Sequence, residues 1–289
     1  MRRDAFSQFH PITNFLFFAF AIGFSVVIQH PAYLAISCIC SGLYYLLLKG
    51  KTGWKLIAGL IPAFLFITGI NPLFNTQGQH VLFYVFGNPY TWEAVLYGMA
   101  MAGMLVVMLL WFSCYSIVLT SDKFVCLFGS MIPALSLLLV MVLRMIPNLM
   151  RKTRQIIGAR KAIGKGAGEQ SSNKDKIKDG MQILSALTDW SLEGSIVTAD
   201  SMRSRGYGVT KRSSYQQYSM QVKDWILLCV MAVLIIVVLL SGGTGTTYTP
   251  DFSMEPLTSG FFAYCCYLMI PSLLHFKEVV LWSISVSRI

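Results

Sequence analysis

Along the chain, long apolar runs alternate with short polar breaks. Six runs approach the ~20 apolar residues that a membrane-crossing helix needs: Ile12–Ile28, Ala32–Leu48, Leu56–Ile70, Ala94–Leu119, Trp225–Leu240 and Phe261–Phe276. The first two are short and meet at the tight turn His30-Pro31. Asn71–Trp92 holds Pro, Gly, Asn and many aromatic residues. It reads as an external loop, with Tyr84, Tyr90 and Trp92 as anchors at the interface. A further apolar run, Phe124–Ile146, is interrupted by Gly129 and Pro133 and preceded by Asp122 and Lys123.

Beyond that run the period changes. Pro147 suits the first turn of a helix, where its missing N–H costs nothing. Leu149, Ile156 and Ile163 follow at seven-residue spacing with Met150 and Ile157 alongside, which predicts one apolar stripe on a helix. A Gly/Ser-rich stretch from Gly164 to Lys176 reads as a flexible linker. A second amphipathic helix is expected from about Gly180, with Ile183, Leu187, Trp190 and Val197 spaced 4, 3 and 7. It ends at Gly206, the residue type expected just past a helix end.

Charge decides the topology. Of the 23 Lys and Arg, 15 fall between Arg144 and Lys223, against 6 of the 13 acidic residues. Positive-inside places that stretch in the cytoplasm, and places Arg2, Arg3 and the Lys49, Lys51, Lys55 cluster there too. Four spans before the stretch and two after it satisfy all of these, with both termini cytoplasmic. Counting Phe124–Ile146 as a span would break the agreement, so it is predicted as a broken helix along the inner face or packed under the bundle. The expected fold is therefore all-α: a polytopic membrane bundle of about six spans with two or three amphipathic cytoplasmic helices. Its parts are 1–123 (spans), 124–223 (inner-face and cytoplasmic helices) and 224–289 (spans).

Composition agrees. The 289 residues are 55% hydrophobic and 12% charged, where a soluble protein carries about 25% charged. The net charge of +10 is accounted for by topology, so no nucleic acid partner is implied. The seven cysteines lie mostly in apolar runs, form no CxxC pair and read as small buried hydrophobes. No catalytic motif is present. The sequence from Gly158 to Lys165 is one residue too long for a phosphate-binding loop and lacks its Ser or Thr, and the four His are scattered. The spans hold no Asp, Lys or Arg, which argues against an ion-coupled pump. No cofactor, metal site or catalytic residue is expected.

Two segments carry chemistry: Arg144-Met-Ile-Pro147 through Gly164, and Leu192 through Ser204-Arg205-Gly206-Tyr207-Gly208. Together they resemble the transmembrane T component of energy-coupling factor transporters, prokaryotic importers of vitamins and metals. That family has an R-x-I-P start and two cytoplasmic coupling helices, each ending in an Ala-Arg-Gly-like signature. Here the second signature is Ser204-Arg205-Gly206. The register from Pro147 places the first at Ala162-Ile163-Gly164, without its arginine; Arg160 and Lys161 lie within a turn of it.

The resemblance implies a non-catalytic scaffold in a prokaryotic cell membrane. It would join two ATP-binding subunits to a substrate-binding membrane subunit, both at the signatures and along the helices. An arginine fork suits an acidic groove. An apolar Ile163 suits a hydrophobic niche, which points to two non-identical ATP-binding subunits. Met181, Trp190 and Met202 are candidates for holding the substrate subunit, or for packing against the run 124–146. Arg151, Lys152 and Arg154 are expected to face anionic lipid headgroups. The alternative is a self-contained permease or channel whose basic segment binds only lipid.

Overall fold

A computed structural model describes residues 5–75, 78–85, 88–120, 123–124, 126–127, 133–164, 172–209, 218–248 and 252–286. The chain divides into two compact units, 1–124 with 218–289 and 125–217.

The first unit is a helical bundle. Its helices are α1 (Pro11–Val27), α2 (Pro31–Lys49), α3 (Trp54–Phe74), α4 (Trp92–Val118), α7 (Val222–Leu240) and α8 (Ser259–Val286). Each of the six apolar runs read from the sequence is one of these helices. The stretches 31–74, Trp92–Val118, Val222–Leu240 and Ser259–Glu278 are long and apolar enough to cross a membrane, and α1 is a shorter apolar helix. The first of these stretches contains both α2 and α3, joined by a 3-10 turn at Gly50–Gly53.

Local chemistry sets the boundaries. α1 and α2 start with the same device: a histidine followed by proline at the first helical position. The ring Nδ1 of His10 accepts from the Ile12 N–H, and that of His30 from the Ala32 N–H, each at 3.2 Å. One orphan donor is thereby satisfied and proline removes another. Asn71–Trp92 is not a plain loop. α3 runs on to Phe74, and Val81–Val85 pairs antiparallel with Asn88–Thr91. A second, two-residue pairing, Thr246–Thr247 with Ser253–Met254, lies between α7 and α8.

α4 packs against α1, α2 and α3, while α8 packs against α2 and α7. Lipid is as apolar as leucine, so close packing and interhelical hydrogen bonds must hold such a bundle together. Both are present. Phe17 stacks on Tyr267 with centroids 5.1 Å apart, and the Tyr267 hydroxyl donates to the Phe17 carbonyl at 2.9 Å. The buried Trp111 indole donates to the Ser37 hydroxyl at 3.0 Å. At Gly98 the crossing with α3 is so close that a Cβ would lie 2.8 Å from that of Asn71 and 3.1 Å from the Thr68 carbonyl. Cys40 and Cys114 are buried as expected, but Cys38, Cys229 and Cys266 lie on the outer surface, a placement apolar enough for lipid.

Charged residues at the helix ends fix the relative direction of the spans. Lys123, just past α4, is buried and donates to the Ser7 hydroxyl at 3.0 Å and the Val118 carbonyl at 3.2 Å. Asp224, in the first turn of α7, is buried and accepts from the backbone N–H of His10 at 2.8 Å and of Gln221 at 2.9 Å. Glu278 of α8 accepts from Gln8 at 3.0 Å. The start of α1, the end of α4, the start of α7 and the far part of α8 therefore share one face. At the opposite face the Tyr248 hydroxyl donates to the Gln29 carbonyl at 2.6 Å, and His30 Nε2 lies 3.3 Å from the Glu255 carbonyl. With His30 Nδ1 already accepting, Nε2 is the protonated nitrogen and donates. Burial, reinforced by the nearby Tyr97, raises the Tyr248 pKa, so its hydroxyl keeps the proton that clasp needs.

The second unit contains two long helices, α5 (Pro133–Ala162) and α6 (Asn173–Ser204). Both differ from the sequence-based expectation. Pro147 does not begin a helix. It lies inside α5, which runs unbroken from Pro133. One proline removes one hydrogen bond, and the Leu-, Met- and Arg-rich turns on both sides are good helix formers. The expected break near Gly129 lies outside the described residues. α6 begins at Asn173 rather than near Gly180. Asp175 in its first turn complements the helix dipole, and the interior Gly180 costs only about 1 kcal/mol.

Candidate functional site

α5 and α6 end in the same way. The Ile163 N–H donates to the Ala159 carbonyl at 3.3 Å, and the Gly164 N–H donates to Lys161 at 3.1 Å. The Arg205 N–H donates to the Ser201 carbonyl at 3.3 Å, and the Gly206 N–H donates to Arg203 at 3.0 Å. Both glycines are left-handed, with φ of 70° at Gly164 and 77° at Gly206, a conformation that other residues adopt at a cost. At the second end the Tyr207 N–H also donates to Met202 at 3.0 Å. Together these bonds make a Schellman cap of the last carbonyls. Ile163 and Arg205 thus occupy equivalent positions, each the last residue before a left-handed glycine.

The two ends differ in chemistry. Ile163 is 67% exposed, and Ala162 and Gly164 are exposed with it. Arg205 is exposed, and its guanidinium makes no hydrogen bond or ion pair among the described residues. Ser204 is exposed, its hydroxyl turned back to the Ser201 carbonyl at 3.0 Å. Arginine is always charged and offers five donors in a planar fork, a geometry that can receive an anion at a rigid helix end.

The two basic residues near the first signature part company. Lys161 is exposed. Arg160 turns toward α6, where its Nε donates to Asp179 Oδ1 at 2.6 Å, its Nη2 donates to Gln182 Oε1 at 2.6 Å, and the guanidinium is ion-paired with Asp179. Eight residues earlier on α5, Lys152 Nζ lies 5.5 Å from the centre of the Trp190 ring, within the range of a cation–π contact. Lys152, expected with Arg151 and Arg154 to face headgroups, is instead engaged with the neighbouring helix.

α6 carries two apolar faces. Of the stripe read from the sequence, Ile183, Leu187 and Trp190 are half-buried, whereas Val197 is 63% exposed. A second stripe, Ile177, Met181, Leu184, Leu192 and Ile196, is exposed. None of the residues of this helix is fully buried. Met181, Trp190 and Met202 do not form one patch. Met181 is on the exposed stripe, Trp190 is in the seam with α5, and Met202 supplies a capping carbonyl. The outer stripe and the Asp179–Gln182 fork were not singled out in the sequence. Their spacing was visible: 177, 181 and 184 repeat by four and three, and 179 and 182 share a face.

These features define a polytopic helical membrane protein that presents two long amphipathic helices from one insertion, each stopped by a glycine. The model of the CbiQ family, described as cobalt transport protein, matches residues 6–218. The chain belongs to that family. It is 29% identical over 206 residues to the energy-coupling factor transporter transmembrane protein EcfT of Staphylococcus aureus, covering 65% of this chain and 76% of that protein. It is 39% identical over 107 residues to the protein of the same name from Lactococcus lactis, covering 37% of this chain and 39% of that one.

Proposed function

We propose that this chain is the scaffold subunit of an ATP-driven importer of a vitamin or metal ion. It joins two ATP-binding subunits to a substrate-binding membrane subunit and hydrolyses nothing itself. The observation that carries this reading is the pair of matched helix ends, Ala162-Ile163-Gly164 and Ser204-Arg205-Gly206, each stopped by a left-handed glycine, with Ile163 and Arg205 exposed. A scaffold that receives force from two subunits needs two rigid contact points. The outer stripe of α6 around Met181 supports a contact with the substrate-binding subunit, since five large apolar residues there have no cover among the described residues.

On this reading the segment between α4 and α7 is cytoplasmic, as are both termini. The support is the shared face of Ser7, Lys123, Asp224 and Glu278 within the bundle, together with the positive charge of the segment. A reporter inserted at Ser172 should behave as cytoplasmic and one at Thr246 as external; the reverse pattern would overturn the topology.

Co-expression with the neighbouring reading frames and purification in mild detergent tests the function itself. ATP-binding chains should co-purify with this chain at about two per copy. A chain that transports alone, with no ATPase bound, would instead be a self-contained permease.

A further inference from the structure

Two side-chain contacts give the direction of the seam between α5 and α6. From Lys152 to Arg160 the chain advances along α5, while their partners retreat along α6, from Trp190 to Gln182 and Asp179. The helices therefore run antiparallel through this seam. The polar end of the seam is the Arg160 fork, with side chains only 20% and 17% exposed at Arg160 and Asp179. It lies one turn from the Ile163 tip of α5. Along α6, Asp179 is 26 residues from Arg205, about 39 Å at 1.5 Å per residue.

The geometry points to Arg160 as a positioning residue. Through Asp179 and Gln182 it fixes the crossing of the two helices, and so sets the distance between the Ile163 and Arg205 tips. A fork holds an angle better than a point charge does, because two donors meet two acceptors in a plane. The lever is long: a rotation of roughly 10° at the fork moves a tip 39 Å away by about 7 Å. It is also asymmetric, because the Ile163 tip sits beside the fork and hardly moves. The functional consequence rests on the docking reading above. If both tips sit on ATP-binding subunits, the fork is the fulcrum and Arg205 is the end that swings.

The test uses the full-length chain alone in nanodiscs, so its outcome does not depend on whether ATP-binding subunits bind. Spin labels are placed on unnatural amino acids at 155 and 199, both exposed and outside the fork, and the distance between them is read by pulsed electron resonance. The wild type should give one narrow distance. Asp179→Asn, which keeps the shape and removes the charge, and Arg160→Gln should each lose that narrow distance to a broad distribution. The charge exchange Arg160→Asp with Asp179→Arg should restore it, a recovery that a general packing defect would not give. A distribution unchanged in Asp179→Asn, or an exchange that recovers nothing, overturns the proposal.

Discussion

Arg205→Glu should strip the ATP-binding subunits from the purified complex while the chain itself inserts and folds normally. The helix end survives because its cap is made of backbone: Gly206 N–H to Arg203, Tyr207 N–H to Met202, and a left-handed glycine. A glutamate at a helix C-terminus opposes the dipole by about 0.3–1 kcal/mol, too little to unfold a 32-residue helix. The loss at the interface is larger. Breaking a desolvated charge pair costs about 2–5 kcal/mol, or roughly 30- to 5,000-fold in affinity, and the reversed charge adds repulsion. Arg205→Lys keeps the charge and loses the fork, so it should fall between the two. Both are read by capture of the ATP-binding subunits on the tagged variant at physiological salt. Undiminished capture by Arg205→Glu would leave Arg205 as an ordinary basic residue at a helix end.

The bundle was legible because lipid and helix geometry both write plainly. Runs such as Ala94–Leu119 and Trp225–Leu240 became α4 and α7 almost residue for residue. The glycine stops at 164 and 206 were equally plain, since few other residues tolerate that backbone. Sequence and structure part where a single residue points one way and its surroundings another. Pro147 alone suggests a start, but the turns on both sides of it are strong helix formers. Gly180 alone suggests a boundary, but Asn173–Asp179 holds helix-compatible charges and Asp179 is bound by Arg160. That bond could not be found by periodicity, because Arg160 and Asp179 are 19 residues apart and meet only when the two helices cross. The same is true of Lys123 on Ser7 and Asp224 on His10, separated by 116 and 214 residues. Sequence pattern reports which face of a helix is apolar. It does not report which polar group across a seam will answer another.

The fork also changes what can be expected of the first helix end. If Arg160 were free, it could replace the arginine missing from Ala162-Ile163-Gly164. It is instead engaged with Asp179 and Gln182. Ile163, 67% exposed at the position equivalent to Arg205, is left to make the contact. Burying an isoleucine contributes about 1.5–3 kcal/mol, so Ile163→Ala should weaken capture of the ATP-binding subunit at that end by roughly 10- to 100-fold. Lys161→Ala should change it little, because an exposed charge beside an apolar contact contributes about 1 kcal/mol or less. Arg160→Ala should also weaken capture, but by a different route: it should release the 155–199 distance, whereas Ile163→Ala should leave that distance intact. Ile163→Arg separates the two chemistries. A partner with an apolar niche rejects the buried charge, since an unpaired guanidinium is costly to desolvate. A partner with a carboxylate accepts it and binds more tightly. Rejection at this end, with Arg205 required at the other, means that the two ATP-binding subunits are different proteins and that the scaffold holds them in one orientation. Capture unchanged in both Ile163→Ala and Ile163→Arg would remove the first helix end from the interface.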